Sequence, residues 1–148
     1  MVAIDYSLQT LVGNNFNNLI LNGSTFFKST LDGVLMNQTR LRGTNFQEAS
    51  LLNVTATGAI FAAGGSFGAA DFFKATFSNT NLSGANLRGV NLTEANASFS
   101  NFSNANLTNA TLQLATFQDV RTSRVANLTN AQLQQAVSPR CKLSRVQT

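Results

Sequence analysis

From Thr80 to Phe117 the chain reads TNLSGANLRGVNLTEANASFSNFSNANLTNATLQLATF, in which a small residue, a polar one and then Leu or Phe return every five positions. A period of five fits neither an α-helix, where successive apolar residues would advance by about 140° around the axis, nor a strand, which repeats every two. The repeat is therefore its own structural unit. If each pentapeptide is one short extended side ending in a turn, four sides close a square coil of about 20 residues, and coils stack at the inter-strand spacing of about 4.8 Å. Leu and Phe centres then fill the axis. The residue two positions earlier also points inward and must be small, while the other three face water.

Taken in order, the centres are Tyr6, Leu11, Phe16, Leu21, Phe26, Leu31, Met36, Leu41, Phe46, Leu51, Ala56 and Phe61. After AAGGS the phase slips by one and resumes at Phe67, Phe72, Phe77, Leu82, Leu87, Leu92, Ala97, Phe102, Leu107, Leu112, Phe117 and Thr122. It slips again through SRVAN and ends on Leu128, Leu133, Ser138 and Leu143. Each slip follows a completed coil, so both read as one-residue bulges, near 62–66 and 123–127. The pattern predicts an all-β solenoid of about seven coils, a rod roughly 34 Å long and a single domain over 1–148. The first coil is irregular, with Ile4, Gln9, Asn14 and Leu19 in slots meant for small residues, and reads as a cap. The coil over 126–145 is the last. Gly13, Gly23, Gly33, Gly43, Gly58, Gly84 and Gly89 share the second position after a centre, where a turn with φ > 0 favours glycine. One side carries Phe16, Met36, Ala56, Phe77, Ala97 and Phe117, and its two undersized centres imply packing slack rather than a ligand cavity.

In GANLR, GVNLT and SNANLTN the chain resembles the pentapeptide-repeat family, whose pattern is a small residue, Asn or Asp, Leu or Phe, and two variable positions. The resemblance implies a right-handed quadrilateral β-helix. It makes a cyanobacterial source a reasonable expectation, since the family is abundant there, and makes an end-to-end homodimer plausible. It also brings in the family's best-characterised role, protection of bacterial DNA gyrase and related topoisomerases by mimicry of DNA.

Charge counts against that role, because a DNA mimic must be anionic. This chain has ten basic and six acidic residues and a net charge of +4. Residues 1–120 are near neutral, so the excess lies at the C-terminal end. Catalysis finds no support: there is no histidine, the acids lie singly, and the lone Cys141 occupies a small slot without a base to activate it. No metal-ligand spacing and no cofactor motif is present. Ten Asn-x-Ser/Thr sequons arise from the repeat itself, which sets Asn before the centre and Ser or Thr after it. No apolar run approaches a membrane span, and MVAIDYSLQT lacks the features of a secretory signal, so a cytoplasmic protein is expected.

The expected function is thus a non-enzymatic rod that binds a protein partner. Three surfaces are candidates. A side centred on Leu21, Leu41, Phe61, Leu82, Phe102, Thr122 and Leu143 gathers Arg40, Arg42, Arg121, Arg124, Lys142 and Arg145 and suits an anionic partner. Nucleic acid is not expected there, because no exposed ring accompanies these charges. Val12, Leu52 and Phe73 share an apolar column, while Phe27, Phe73 and Phe99 fall out of phase on three different sides. Leu128, Leu133 and Leu143 of the terminal coil supply a surface for an end-to-end homodimer, since the five residues after Leu143 are too few for a capping helix.

Overall fold

The computed structural model of the chain describes residues 3–120 and 126–136. Three segments form strands, β1 (Thr10–Val12), β2 (Thr30–Asp32) and β3 (Ser50–Leu52), stacked in parallel with Leu11, Leu31 and Leu51 in register. Elsewhere the sides are single parallel bridges, and four ladders of them define four faces of a solenoid. Among the described residues there is no helix.

Face A is centred on Tyr6, Phe26, Phe46, Phe72, Leu92, Leu112 and Leu133, and face B on Leu11, Leu31, Leu51, Phe77, Ala97 and Phe117. Face C carries Phe16, Met36, Ala56, Leu82 and Phe102, and face D carries Leu21, Leu41, Phe61, Leu87, Leu107 and Leu128. Centres from Leu11 to Phe117 are buried, and so are the small slots from Ser24 to Ala115. On face A the rings of Tyr6, Phe26, Phe46 and Phe72 stack in succession with centroids 4.8, 4.7 and 4.9 Å apart. That spacing matches the rise between parallel strands, so one ring per coil forms a continuous column.

Local chemistry explains the rest of the pattern. The side chain before a centre caps the following turn: Asn81 Oδ1 accepts the Ser83 N–H at 3.1 Å, and Asn101, Asn106 and Asn127 each accept the equivalent N–H at 3.0 Å. Hydroxyls in the small slots donate to backbone carbonyls, as Thr39 does to Phe16, Thr44 to Leu41 and Ser100 to Phe77, so their burial leaves no donor unpaired. The seven glycines two residues after a centre have φ between 60° and 72°, as their position predicts. Non-glycine residues share that conformation at the same position, among them Leu8 at 61°, Phe99 at 61° and Leu114 at 58°.

One expectation fails. Asn45 pairs with Asp71, a step of 26 residues, whereas the coils before and after it step by 20. The interruption after Phe61 is therefore a six-residue excursion, not a one-residue bulge. Gly64 N–H donates to Phe67 O at 2.9 Å and Phe67 N–H to Gly64 O at 3.3 Å, closing a hairpin over Gly65 and Ser66. Two central residues beginning with glycine suit such a turn, and Gly65 has φ 64°. Phe67 is not a lumen centre; it is 37% exposed and rests on the outer wall. Faces assigned downstream of it shift by one side, so Ala56 lies on face C and Ala97 on face B. Further along, Asn106 pairs with Asn127 across 21 residues, and residues 121–125, which include part of the second bulge expected near 123–127, lie outside the described residues.

Candidate interaction surface

With the lumen packed, chemistry falls to the outer faces. The corner after face A carries Leu8, Lys28, Glu48, Lys74, Glu94 and Leu114 on successive rungs, as the backbone bonds from Leu8 N–H to Phe27 O, Lys28 to Gln47, Glu48 to Phe73, Lys74 to Thr93 and Glu94 to Gln113 establish. Lys28 Nζ lies 3.4 Å from Glu48 Oε2, and Lys74 Nζ lies 3.5 Å from Glu94 Oε2. All four side chains remain about half exposed, so each pair is worth little alone, about 0.2–1 kcal/mol. Each lysine also sits over the preceding ring, 5.0 Å from the Phe27 centroid and 4.9 Å from that of Phe73. This column escapes the sequence reading, because a one-residue slip places Lys74 on another side. Steps of 20, 26 and 20 between the four charges carry the signal.

The structure divides the predicted basic side. Leu82 and Phe102, expected below Leu41, belong to face C, while Arg40 and Arg42 flank Leu41 on face D. Arg40 is exposed. Arg42 is partly buried beneath the excursion, its guanidinium pressed so closely on Gly64 that a Cβ there would overlap Nη1. The same loop sets Phe67 against the corner glycines, with Cε1 2.9 Å from where a Cβ on Gly23 would lie and Cβ 3.4 Å from that position on Gly43. Arg121, Arg124, Lys142 and Arg145 lie outside the described residues.

The apolar column of Val12, Leu52 and Phe73 is also corrected. Val12, Asp32 and Leu52 are in register, but Ser50 pairs with Thr76, which brings Ser78 below Leu52. Phe73 instead follows Gln47 and Phe27 on face A, so two of the three out-of-phase rings share a face. The third, Phe99, is 53% exposed at the corner after face B and lines an open recess of about 320 Å³ with Asn79, Thr80, Asn81 and Asn101. Of the terminal leucines, Leu128 and Leu133 are partly buried and pack on the core, and Leu143 lies outside the described residues.

Among the described residues, no group of three or more His, Cys, Asp or Glu is placed to hold a metal, and no helix is long and apolar enough to cross a membrane. Asp5 is held below the ordinary carboxylate value by the hydroxyl and N–H of Ser7, the latter 2.8 Å from Oδ1.

The family model for pentapeptide repeats matches eight copies over residues 26–61, 70–109 and 85–121, more than half of the chain. The chain belongs to the pentapeptide-repeat family. Its fold is accordingly the right-handed quadrilateral β-helix, and the gap between the matched segments, residues 62–69, contains the excursion. Solved pentapeptide-repeat structures resemble it at low overall superposition. A pentapeptide repeat protein from the Arabidopsis thaliana thylakoid lumen is 25% identical with a TM-score of 0.36, over 83% of this chain and 63% of that one. The chain thus spans less than two thirds of that protein's length. HetL of Nostoc sp., a protein involved in heterocyst differentiation regulation, is 18% identical with a TM-score of 0.34, over 89% of each chain. QnrB1, a plasmid-mediated fluoroquinolone resistance protein, is 14% identical with a TM-score of 0.37, over 88% of this chain and 89% of that one. No curated protein matches the sequence.

Proposed function

We propose that this pentapeptide-repeat protein is a non-enzymatic scaffold that presents a flat outer face to a protein partner. The observation that carries this reading is the filled lumen: centres are buried from Leu11 to Phe117 and small slots from Ser24 to Ala115, so recognition falls to the ladders of outward side chains. Those ladders repeat at about 4.8 Å and are rigid in the sense that each rung is hydrogen-bonded to the next, which keeps the entropic cost of binding low. Face A, with Phe27 and Phe73 beneath lysines, offers aromatic anchors within a charged frame.

Binding of an anionic partner through Arg40, Arg121, Arg124, Lys142 and Arg145 is the second reading, supported by the +4 net charge and the exposed Arg40. DNA mimicry towards gyrase runs against the same charge. A pull-down from host lysate at low and raised salt, with wild type beside a variant in which Arg121, Arg124, Lys142 and Arg145 become Gln, separates the readings. A protein partner kept by the variant and in salt supports the flat face. Loss in both supports the basic residues. No partner in any condition overturns the scaffold reading.

A further inference from the structure

The corner ladder after face A has a symmetry that chance would seldom supply. Over six successive rungs it reads Leu8, Lys28, Glu48, Lys74, Glu94, Leu114, one residue per rung, before Gln135 continues the column. When those six rungs are reversed, every lysine meets a glutamate and each leucine meets the other. We propose that this face docks a second copy of the chain, side by side and antiparallel, about a two-fold axis that lies in the plane of the face and passes between the Glu48 and Lys74 rungs.

Such an axis keeps each column opposite its own copy while reversing its direction. Lys28 then faces the second copy's Glu94, Glu48 faces its Lys74, and Leu8 faces its Leu114. Phe73 of the neighbouring column meets Gln47, and Asp71, already bonded to Gln47 Nε2 at 2.6 Å and Asn91 Nδ2 at 3.0 Å, meets Asn45. A parallel side-by-side pair would set lysine on lysine and glutamate on glutamate, so the ladder selects orientation as well as partner.

Two further observations point to an occupant. The ion pairs along the column join Lys28 to Glu48 and Lys74 to Glu94, so each charge has a partner in its own chain, yet all four side chains stay 39–49% exposed and open to a second contact. Glu48 and Lys74 lie nearest the axis, where the second copy adds a further opposite charge to each. Leu8 and Leu114 are 74% and 50% exposed and hold φ of 61° and 58°, a region that bulky residues seldom occupy. Apposition of Leu8 with Leu114 gives these side chains the apolar contact that the single chain lacks. The strip is only about 24 Å long, shorter than a permanent interface requires, so the association is concentration-dependent and weakened by salt.

Sedimentation equilibrium over a concentration series tests this with Glu48→Lys, Lys74→Glu and an equimolar mixture of the two. Glu48→Lys sets lysine against lysine at both symmetric contacts, and Lys74→Glu sets glutamate against glutamate. Each alone should weaken self-association about tenfold or more. In the mixture both contacts again join opposite charges, and a heterodimer of at least wild-type affinity should form. Circular dichroism confirms that each variant keeps its β-helix. The proposal is overturned if the wild type stays monomeric to about 1 mM. It is overturned equally if either variant self-associates as the wild type does, the result expected of an end-to-end dimer through Leu128 and Leu133, or if mixing restores nothing.

Discussion

The ring of Phe46 stacks on that of Phe72 with centroids 4.9 Å apart and planes 11° from parallel, although the two stand 26 positions apart in the chain. Phe26 stacks on Phe46 at 4.7 Å across the ordinary 20. The aromatic column therefore runs through the interruption as if it were absent, and the surplus residues leave the wall as a hairpin. Register in this solenoid is set by what each centre finds one coil away. A locally correct pentapeptide is not enough to place it.

Leu87 and Asn86 test the inward and outward assignments at adjacent positions. Leu87 is wholly buried, so Leu87→Asp loses about 2–5 kcal/mol of packing and adds the larger cost of an unpaired buried charge, a sum comparable to the stability of a small domain. That variant should be unfolded at room temperature. Asn86 Oδ1 accepts the Arg88 N–H at 3.2 Å, a role that a carboxylate fills equally well, so Asn86→Asp should melt within a few degrees of wild type. Circular dichroism melts of both variants settle the phase.

Much of this fold was legible in the five-residue period. The buried centres, the small slots and the left-handed glycines all follow from one geometric unit repeated. The excursion was not, because Gly65, Ser66 and Phe67 reproduce small, polar and aromatic positions in the right order. What excludes Phe67 from the lumen lies across coils, in the stacking of Phe46 on Phe72, and a single pentapeptide holds no trace of it. The same error hid the Lys28, Glu48, Lys74 and Glu94 ladder and merged Arg40 with centres that belong to another face. Gly-Gly-Ser between apolar residues was the available warning, a hairpin signal inside a repeat that otherwise places one glycine per turn.

Asp5 gives the first coil a pH dependence. Its carboxyl is lowered from 3.8 by the Ser7 hydroxyl and N–H, which favour the charged form. A group depressed in the folded state stabilises above its unfolded value and loses that contribution as pH falls through the folded one. Asp5→Asn should therefore melt below wild type at neutral pH, and the gap should close as the pH drops below 3.8. Melting curves at a series of acidic pH values check this; a gap that is constant with pH would assign the effect of the substitution to shape rather than charge.

Gly23 and Gly33 occupy equivalent turns, with φ of 72° and 62°, but only Gly23 lies beneath the excursion. A Cβ on Gly33 meets nothing within 4 Å, so Gly33→Ala bears only the left-handed penalty of about 1–2 kcal/mol. A Cβ on Gly23 comes within 2.9 Å of Phe67 Cε1, so Gly23→Ala must also turn that partly exposed ring aside, adding about 0.5–1.5 kcal/mol. Phe67→Ala removes the obstacle. The double variant Gly23→Ala with Phe67→Ala should then show a Gly23 penalty no larger than that of Gly33→Ala, a coupling of about 0.5–1.5 kcal/mol in a double-mutant cycle. Chemical denaturation of the four species measures it. Simple additivity would mean that the loop swings clear of the corner in solution, and Arg42, released from Gly64, would then join Arg40 as an open cationic surface on face D.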